Sequence, residues 1–261
     1  MTAVNEDKTA FGGLPGPGQK THGGRKDIFA VLSLFLAVFI LFLPAQAGWR
    51  GIFHDDMAMA EFPWHYFVAR HLQNGTFPLW EPDTWCGAIP FYARYYADTS
   101  YFPLWPFLLL SDCSDLTQAF WMLSLLPLLL HYWLAAGGMY LFGRRSLRLR
   151  TLSAFLSAWV YIFSPIFAYK YVAFPIVVVQ AWLPWALILA VSLSRRGSLF
   201  KIAGLGAIFA LMVVAAQPPH AGYSLLLIGV ISIALAGRRW SKKREWKSFR
   251  GPVWVLLAIV L

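Results

Sequence analysis

The chain has 261 residues, of which 59% are hydrophobic, 17% aromatic and only 13% charged, with a formal net charge of +10. A soluble domain carries about a quarter charged residues, and a water-soluble monomer with 13 Trp, 21 Phe and 11 Tyr would leave large apolar patches open to solvent. An ordinary cytoplasmic enzyme is therefore excluded, and the placement of the charges argues against nucleic acid as the reason for the positive balance.

Residues 1–27 are rich in Gly, Pro, Lys and Thr without a helical apolar period and read as a disordered cytoplasmic tail. A transmembrane helix needs about 20 predominantly apolar residues. Segments 28–47, 119–142, 152–169, 176–193, 199–216 and 221–236 qualify, and a seventh apolar run starts at residue 252 and reaches the last residue. The expected fold class is all-α and polytopic, with about six complete transmembrane helices plus a truncated seventh. On this reading the chain is the N-terminal portion of a longer membrane protein, residues 28–261 being a transmembrane domain.

Basic residues set the orientation. With the N-terminus cytoplasmic, 18 of the 22 Lys and Arg fall in cytoplasmic segments, and only Arg50, Arg70, Arg94 and Lys170 fall outside. This is the bias the positive-inside rule predicts, so topology accounts for the net charge. The small-residue sequence Ala45-Gln46-Ala47 also resembles a signal-peptide cleavage site, although the leader and apolar run are long for one. Either way residues 48–118 are placed outside.

That loop holds 8 of the 12 acidic residues against three arginines. Loops of this length are usually functional, and chemistry is expected here. Within it, residues 57–74 carry Phe62, Tyr66, Ala69 and Leu72 near helical spacing, with Pro63 early and Asn74-Gly75 as a stop. The expectation is a short amphipathic helix lying along the outer membrane surface. Pro78, Pro82, Pro90, Pro103 and Pro106 then alternate with Trp80, Trp85, Trp105 and many tyrosines. That segment suits an aromatic belt at the headgroups or a platform for stacking sugars. Cys86 and Cys113 leave a disulfide open, and the spacing alone decides nothing about geometry.

The residues with chemical potential are few. Asp55-Asp56, after His54, sits close beyond the first span. Two adjacent carboxylates suit a general base beside a metal or a phosphate-binding cation, and one of them equally suits an N-cap for the helix starting at Met57. Gln217-Pro218-Pro219-His220 joins two apolar runs on the outer side, where Gln217 and His220 either bind an acceptor or a phosphate or simply face the headgroups. Lys170 pairs with a lipid phosphate or snorkels. His131 falls inside a span and is expected to face the bundle interior.

The run Asp55-Asp56, then Ala69-Arg70-His71-Leu72-Gln73-Asn74-Gly75-Thr76-Phe77-Pro78-Leu79-Trp80-Glu81-Pro82, resembles the bacterial YfhO-type membrane proteins. So do Cys86-Gly87-Ala88-Ile89-Pro90 and Tyr101-Phe102-Pro103-Leu104. The stretch from Gln217 to Tyr223 resembles that family's second outer signature less closely, because Gln-Pro-Pro-His replaces a Gly-His-Pro-Gln type sequence. The family is similar to the GT-C glycosyltransferases, which take a sugar from a polyprenyl-phosphate carrier on the outer face of the membrane. The resemblance implies that Asp55 or Asp56 matches their acidic motif. It also implies a bacterial plasma-membrane location, a polyprenyl-phosphate sugar and an envelope glycan or lipid acceptor as partners, and later helices beyond this chain.

The expected chemistry is attack of an acceptor hydroxyl on the anomeric carbon. One aspartate takes the proton, and the other serves as a cap or as a ligand to a divalent metal such as Mg or Mn. Arg50, Arg70 or Lys170 stabilises the leaving phosphate. Adjacent carboxylates point about 100° apart on a regular helix, so both reach one site only where the backbone is irregular. The alternatives are a lipid or polymer transporter or flippase, and a non-catalytic membrane assembly protein. Transporters commonly place ionisable residues near the bilayer midplane, whereas here the acids cluster in a loop.

Overall fold

The structure is a computed structural model, describing residues 24–46, 55–82, 87, 100–170, 173–195, 197–215, 218–243 and 250–260. Every regular element among them is helical. Five helical stretches are long and apolar enough to cross a membrane: Gly24–Pro44, Leu116–Ser146, Thr151–Ala168, Phe174–Arg195 and Pro219–Gly237. By helix length and hydropathy the architecture suits a multi-pass membrane protein. The expected count of six complete spans is reduced to five, because the helix at Leu199–Val214 has 16 residues. At 1.5 Å per residue that is about 24 Å, short of a hydrocarbon core of about 30 Å. Arg250–Ile259 is a second short apolar helix.

Helix α1 (Gly24–Gln46) carries the surface pattern that suits a membrane. Ala30, Leu34, Val38 and Phe42 recur every fourth residue and are buried against the bundle. The opposite face exposes Phe29, Leu32, Leu36 and Ile40, each more than half accessible. In water such a face is unfavourable by roughly 25 cal/mol for every Å² of apolar surface; hydrocarbon removes that cost.

After α1 come α2 (Phe62–Gln73), α3 (Trp105–Leu110) and α4 (Leu116–Phe120), all short. Helix α4 runs without a break through α5 (Leu126–Leu141) to Ser146. Helices α6 (Thr151–Ile162), α7 (Pro165–Lys170), α8 (Phe174–Arg195), α9 (Leu199–Val214), α10 (Pro218–Lys243) and α11 (Arg250–Val260) complete the bundle. Helices α5 and α8 form its centre, with α1 and α6 against α5 and α9, α10 and α11 against α8. The end carrying α2 and α3 is the loop end; the end carrying Arg144–Arg150 and Arg195 is the basic end.

Gly138 makes room for the Trp185 indole between the two central helices. A β-carbon at Gly138 would lie 2.5 Å from the Trp185 indole nitrogen. That indole is fixed by donating to the Leu134 carbonyl at 3.0 Å, so it has little room to yield. Gly138→Val is expected to cost about 1–3 kcal/mol by overpacking, read as a lower thermal midpoint in detergent.

At the basic end Asp27 ties three helices together. Its carboxylate accepts from the Tyr140 hydroxyl at 2.5 Å, from Thr151 at 3.0 Å, and from Arg144 through Nη2 at 3.0 Å and Nε at 3.0 Å. Residue 27 therefore belongs to the folded helix α1, which begins at Gly24, and not to the tail; residues 1–23 lie outside the described residues.

Candidate functional site at the loop end

The helix read from residues 57–74 is present, built as a π-turn at Met57–Glu61 followed by α2. It ends where Asn74-Gly75 stops it. Gly75 adopts φ +71°, Thr76 N–H donates to the His71 carbonyl at 2.9 Å and Gly75 N–H to Leu72 at 3.0 Å. These two bonds are the pair of a Schellman stop. The expected orientation is corrected. The face carrying Phe62, His65, Val68 and Ala69 is buried in the protein. Phe62 meets Phe120 with ring centroids 5.8 Å apart, so α3 and the turn after α4 take the apolar stripe that the membrane surface was expected to cover.

Two π-turns, each followed closely by proline, shape this region. Phe62 N–H bonds the Met57 carbonyl just before Pro63, and Leu126 N–H bonds the Trp121 carbonyl just before Pro127. A proline ring clashes with the carbonyl four residues back and offers that carbonyl no N–H; the wider turn relieves the clash. For Pro127 that carbonyl is Leu123, and His65 Nδ1 donates to it at 2.8 Å. The histidine supplies the hydrogen bond that proline withholds, and it fastens α2 to the bundle. His65→Phe keeps the volume and leaves a buried acceptor unmet. It is expected to lose about 1–3 kcal/mol and to raise hydrogen exchange across residues 57–73.

A second buried relay lies beneath. His131 Nδ1 donates to the Pro127 carbonyl at 2.7 Å, so its Nε2 accepts from the Tyr101 hydroxyl at 2.8 Å. That hydroxyl accepts from Trp182 Nε1 at 2.9 Å. Both imidazoles stand edge-on to Phe174, at 5.7 Å for His65 and 5.1 Å for His131. Glu61, one turn before His65, is 1% exposed.

The acidic pair directly precedes the π-turn that leads into α2. Asp55 has φ +53°, a left-handed conformation that Asp tolerates better than most residues. Asp56 returns to the right-handed region at φ −55°, ψ −36°. The backbone is therefore irregular between the two carboxylates, the condition under which both serve one site. Both residues are exposed, and Asp56 makes no side-chain capping bond. Asp115 shows the contrast within the same loop: its carboxylate accepts from Thr117 N–H at 2.8 Å and Gln118 N–H at 3.3 Å, a true cap for α4.

Arg70 is not brought to the pair. It lies 14 residues further along the same helical rod, about 20 Å by helical rise. There it lines an open polar cleft of about 370 Å³ with Gln73, Asn74 and residues 111–114. Gln73 Nε2 donates to the Leu108 and Ser111 carbonyls at 2.8 Å each. The Ser114 hydroxyl and N–H donate to Asp112 at 2.6 Å and 2.9 Å and hold its carboxyl below the usual carboxylate range. Cys113 is a free thiol, while Cys86 lies outside the described residues. The Trp80 indole donates to the Gly87 carbonyl at 2.8 Å, one bond between residues of two of the quoted loop motifs.

His220 lies in the first turn of α10, half-buried, with its ring 6.2 Å from Tyr223. Arg50, His54 and Gln217 lie outside the described residues, as does the Lys170 side chain. Among the described residues no three His, Cys, Asp or Glu side chains converge to hold a metal. Asp55 and Asp56 supply two carboxylates, and a divalent ion held there would complete its shell with water or a substrate phosphate.

Comparison with protein-family models, with curated proteins and with solved structures finds no match.

Sequence reasoning passed over Glu61, His65, Tyr101 and Trp182. The signal for the first two was available: an acid and an imidazole, four residues apart, beside the apolar stripe of an amphipathic helix. Tyr101 and Trp182 carry no such local mark.

Proposed function

We propose that the protein is a GT-C-like membrane glycosyltransferase, moving a sugar from a polyprenyl-phosphate carrier to a cell-envelope acceptor at the loop end of the bundle. The observation that carries this reading is the Asp55–Asp56 pair, exposed and on irregular backbone, with the Asp56 carboxylate making no capping bond. The resemblance of the loop motifs to YfhO-type proteins adds the donor class and the bacterial plasma membrane, with the loop end outside.

The acceptor hydroxyl attacks the anomeric carbon. Its proton passes to one aspartate, the bond from the anomeric carbon to the phosphate oxygen breaks, and polyprenyl phosphate leaves. Arg50 and Lys170 are the cations assigned to that phosphate. Arg70 is too far along α2 to meet a phosphate that reacts beside Asp56. Gln217 and His220 are assigned to the acceptor or phosphate. No step is routed through a metal.

The transporter reading asks for ionisable groups available within the spans. His131 has both ring nitrogens committed to hydrogen bonds, which favours the enzyme. The test supplies membranes containing the protein with radiolabelled polyprenyl-phosphate sugars. Label in an envelope acceptor, absent from membranes lacking the protein, supports transfer. No transfer from a full donor panel overturns it and puts the transporter or assembly protein first.

A further inference from the structure

At the basic end, a groove of about 450 Å³ opens between the start of α1 and the end of α5. Its apolar wall is formed by Ile28, Leu32 and Leu141, and its polar head by Asp27, Arg144 and Arg145. Ile28 and Leu32 are 61% and 59% accessible, so this wall faces the hydrocarbon in a membrane. Within the head, Asp27 and Arg144 neutralise each other through two contacts of 3.0 Å. Tyr140 and Thr151 add further donors to the same carboxylate. Arg145, next in sequence and exposed, has no ion pair or hydrogen bond among the described residues. Arg25, Lys26, Arg148 and Arg150 are also exposed at this end, and Asp27 is the one acid among those residues.

We infer that this groove is a binding site for one anionic phospholipid of the bilayer, its phosphate on Arg145 and an acyl chain along Ile28 and Leu32. The apolar wall selects a lipid over free phosphate. The uncompensated cation selects an anionic headgroup over a zwitterionic one, and basic pockets between transmembrane helices bind anionic lipids in this way. The inference is independent of the proposed sugar transfer.

The test is native mass spectrometry of the detergent-purified protein, titrated with phosphatidylglycerol and separately with phosphatidylcholine. One phosphatidylglycerol is expected to be retained with about fivefold preference, the ratio that a single interfacial cation supplies. Arg145→Gln removes the preference. Arg150→Gln deletes a cation outside the groove and leaves the preference in place. Leu32→Trp fills the apolar wall without touching a charge and lowers retention of both lipids. Equal retention of the two lipids by the wild type overturns the site. An equal loss in Arg145→Gln and Arg150→Gln also overturns it, since that is the behaviour of a diffuse basic surface.

Discussion

Asp55→Asn and Asp56→Asn are each assayed for transfer, and the variant that removes the base is expected to fall by roughly 10²–10⁴-fold, the contribution of a positioned proton acceptor. Asparagine is the right probe because it tolerates the left-handed backbone of Asp55 at φ +53° as well as aspartate does. Alanine there adds backbone strain and confuses folding with chemistry. At Asp56 even alanine leaves the helix start unharmed, since the carboxylate makes no capping bond. Asp115→Ala supplies the opposite control. It removes two N–H acceptances from α4, costs about 1 kcal/mol of stability and leaves transfer intact. The measurement pairs transfer per mole of folded protein with a thermal midpoint for every variant. If both asparagine variants transfer like wild type, the acidic pair is not the base.

The bundle was legible because the hydrophobic requirement of a span is written in consecutive residues, and the four long spans after α1 begin and end within a few residues of the expected bounds. Helix α2 was legible for local reasons too: Pro63 is near its start and Asn74-Gly75 at its end, and the stop uses only residues 71–76. What covers its apolar face was not. A stripe of Phe62, Tyr66, Ala69 and Leu72 fits a membrane surface and a protein surface equally, and contact with Phe120 decides between them. The spanning count failed at α9, where Ala215 leaves the helix one residue before the expected end and the remainder is too short.

The site was legible as residue types and not as geometry. Asp55-Asp56 was visible as a pair, but its irregular backbone was not. Arg70 joined the pair by sign of charge, and the stiffness of a helix separates them. The role of His65 depends on Pro127, 62 residues later, through the carbonyl of Leu123. Each proline perturbs its own helix locally, but the histidine that compensates comes from another element. Long-range compensation of this kind leaves no periodic trace in a sequence.

Tyr101→Phe is expected to be the most destabilising single-atom deletion in the loop, costing about 2–4 kcal/mol. The hydroxyl is fully buried; it donates to His131 Nε2 and accepts from Trp182 Nε1. Its removal strands an acceptor and a donor at once, each worth roughly 1–3 kcal/mol when left unmet, with the ring and its packing unchanged. Tyr66→Phe is the matched comparison. Among the described residues that hydroxyl makes one bond, to the Cys113 carbonyl at 2.6 Å, at a half-buried position, and its loss is worth about 1 kcal/mol. Thermal midpoints in detergent therefore rank wild type above Tyr66→Phe and Tyr66→Phe above Tyr101→Phe. Because Tyr101 ties the long loop to α5 and α8 through His131 and Trp182, limited proteolysis within residues 48–118 accelerates in Tyr101→Phe before the spans unfold. Equal midpoints for the two tyrosine variants would show that the relay is bystander packing. The ranking as stated makes it an anchor that holds the loop on the bundle, and under the proposed function transfer is then expected to fall with loop anchorage.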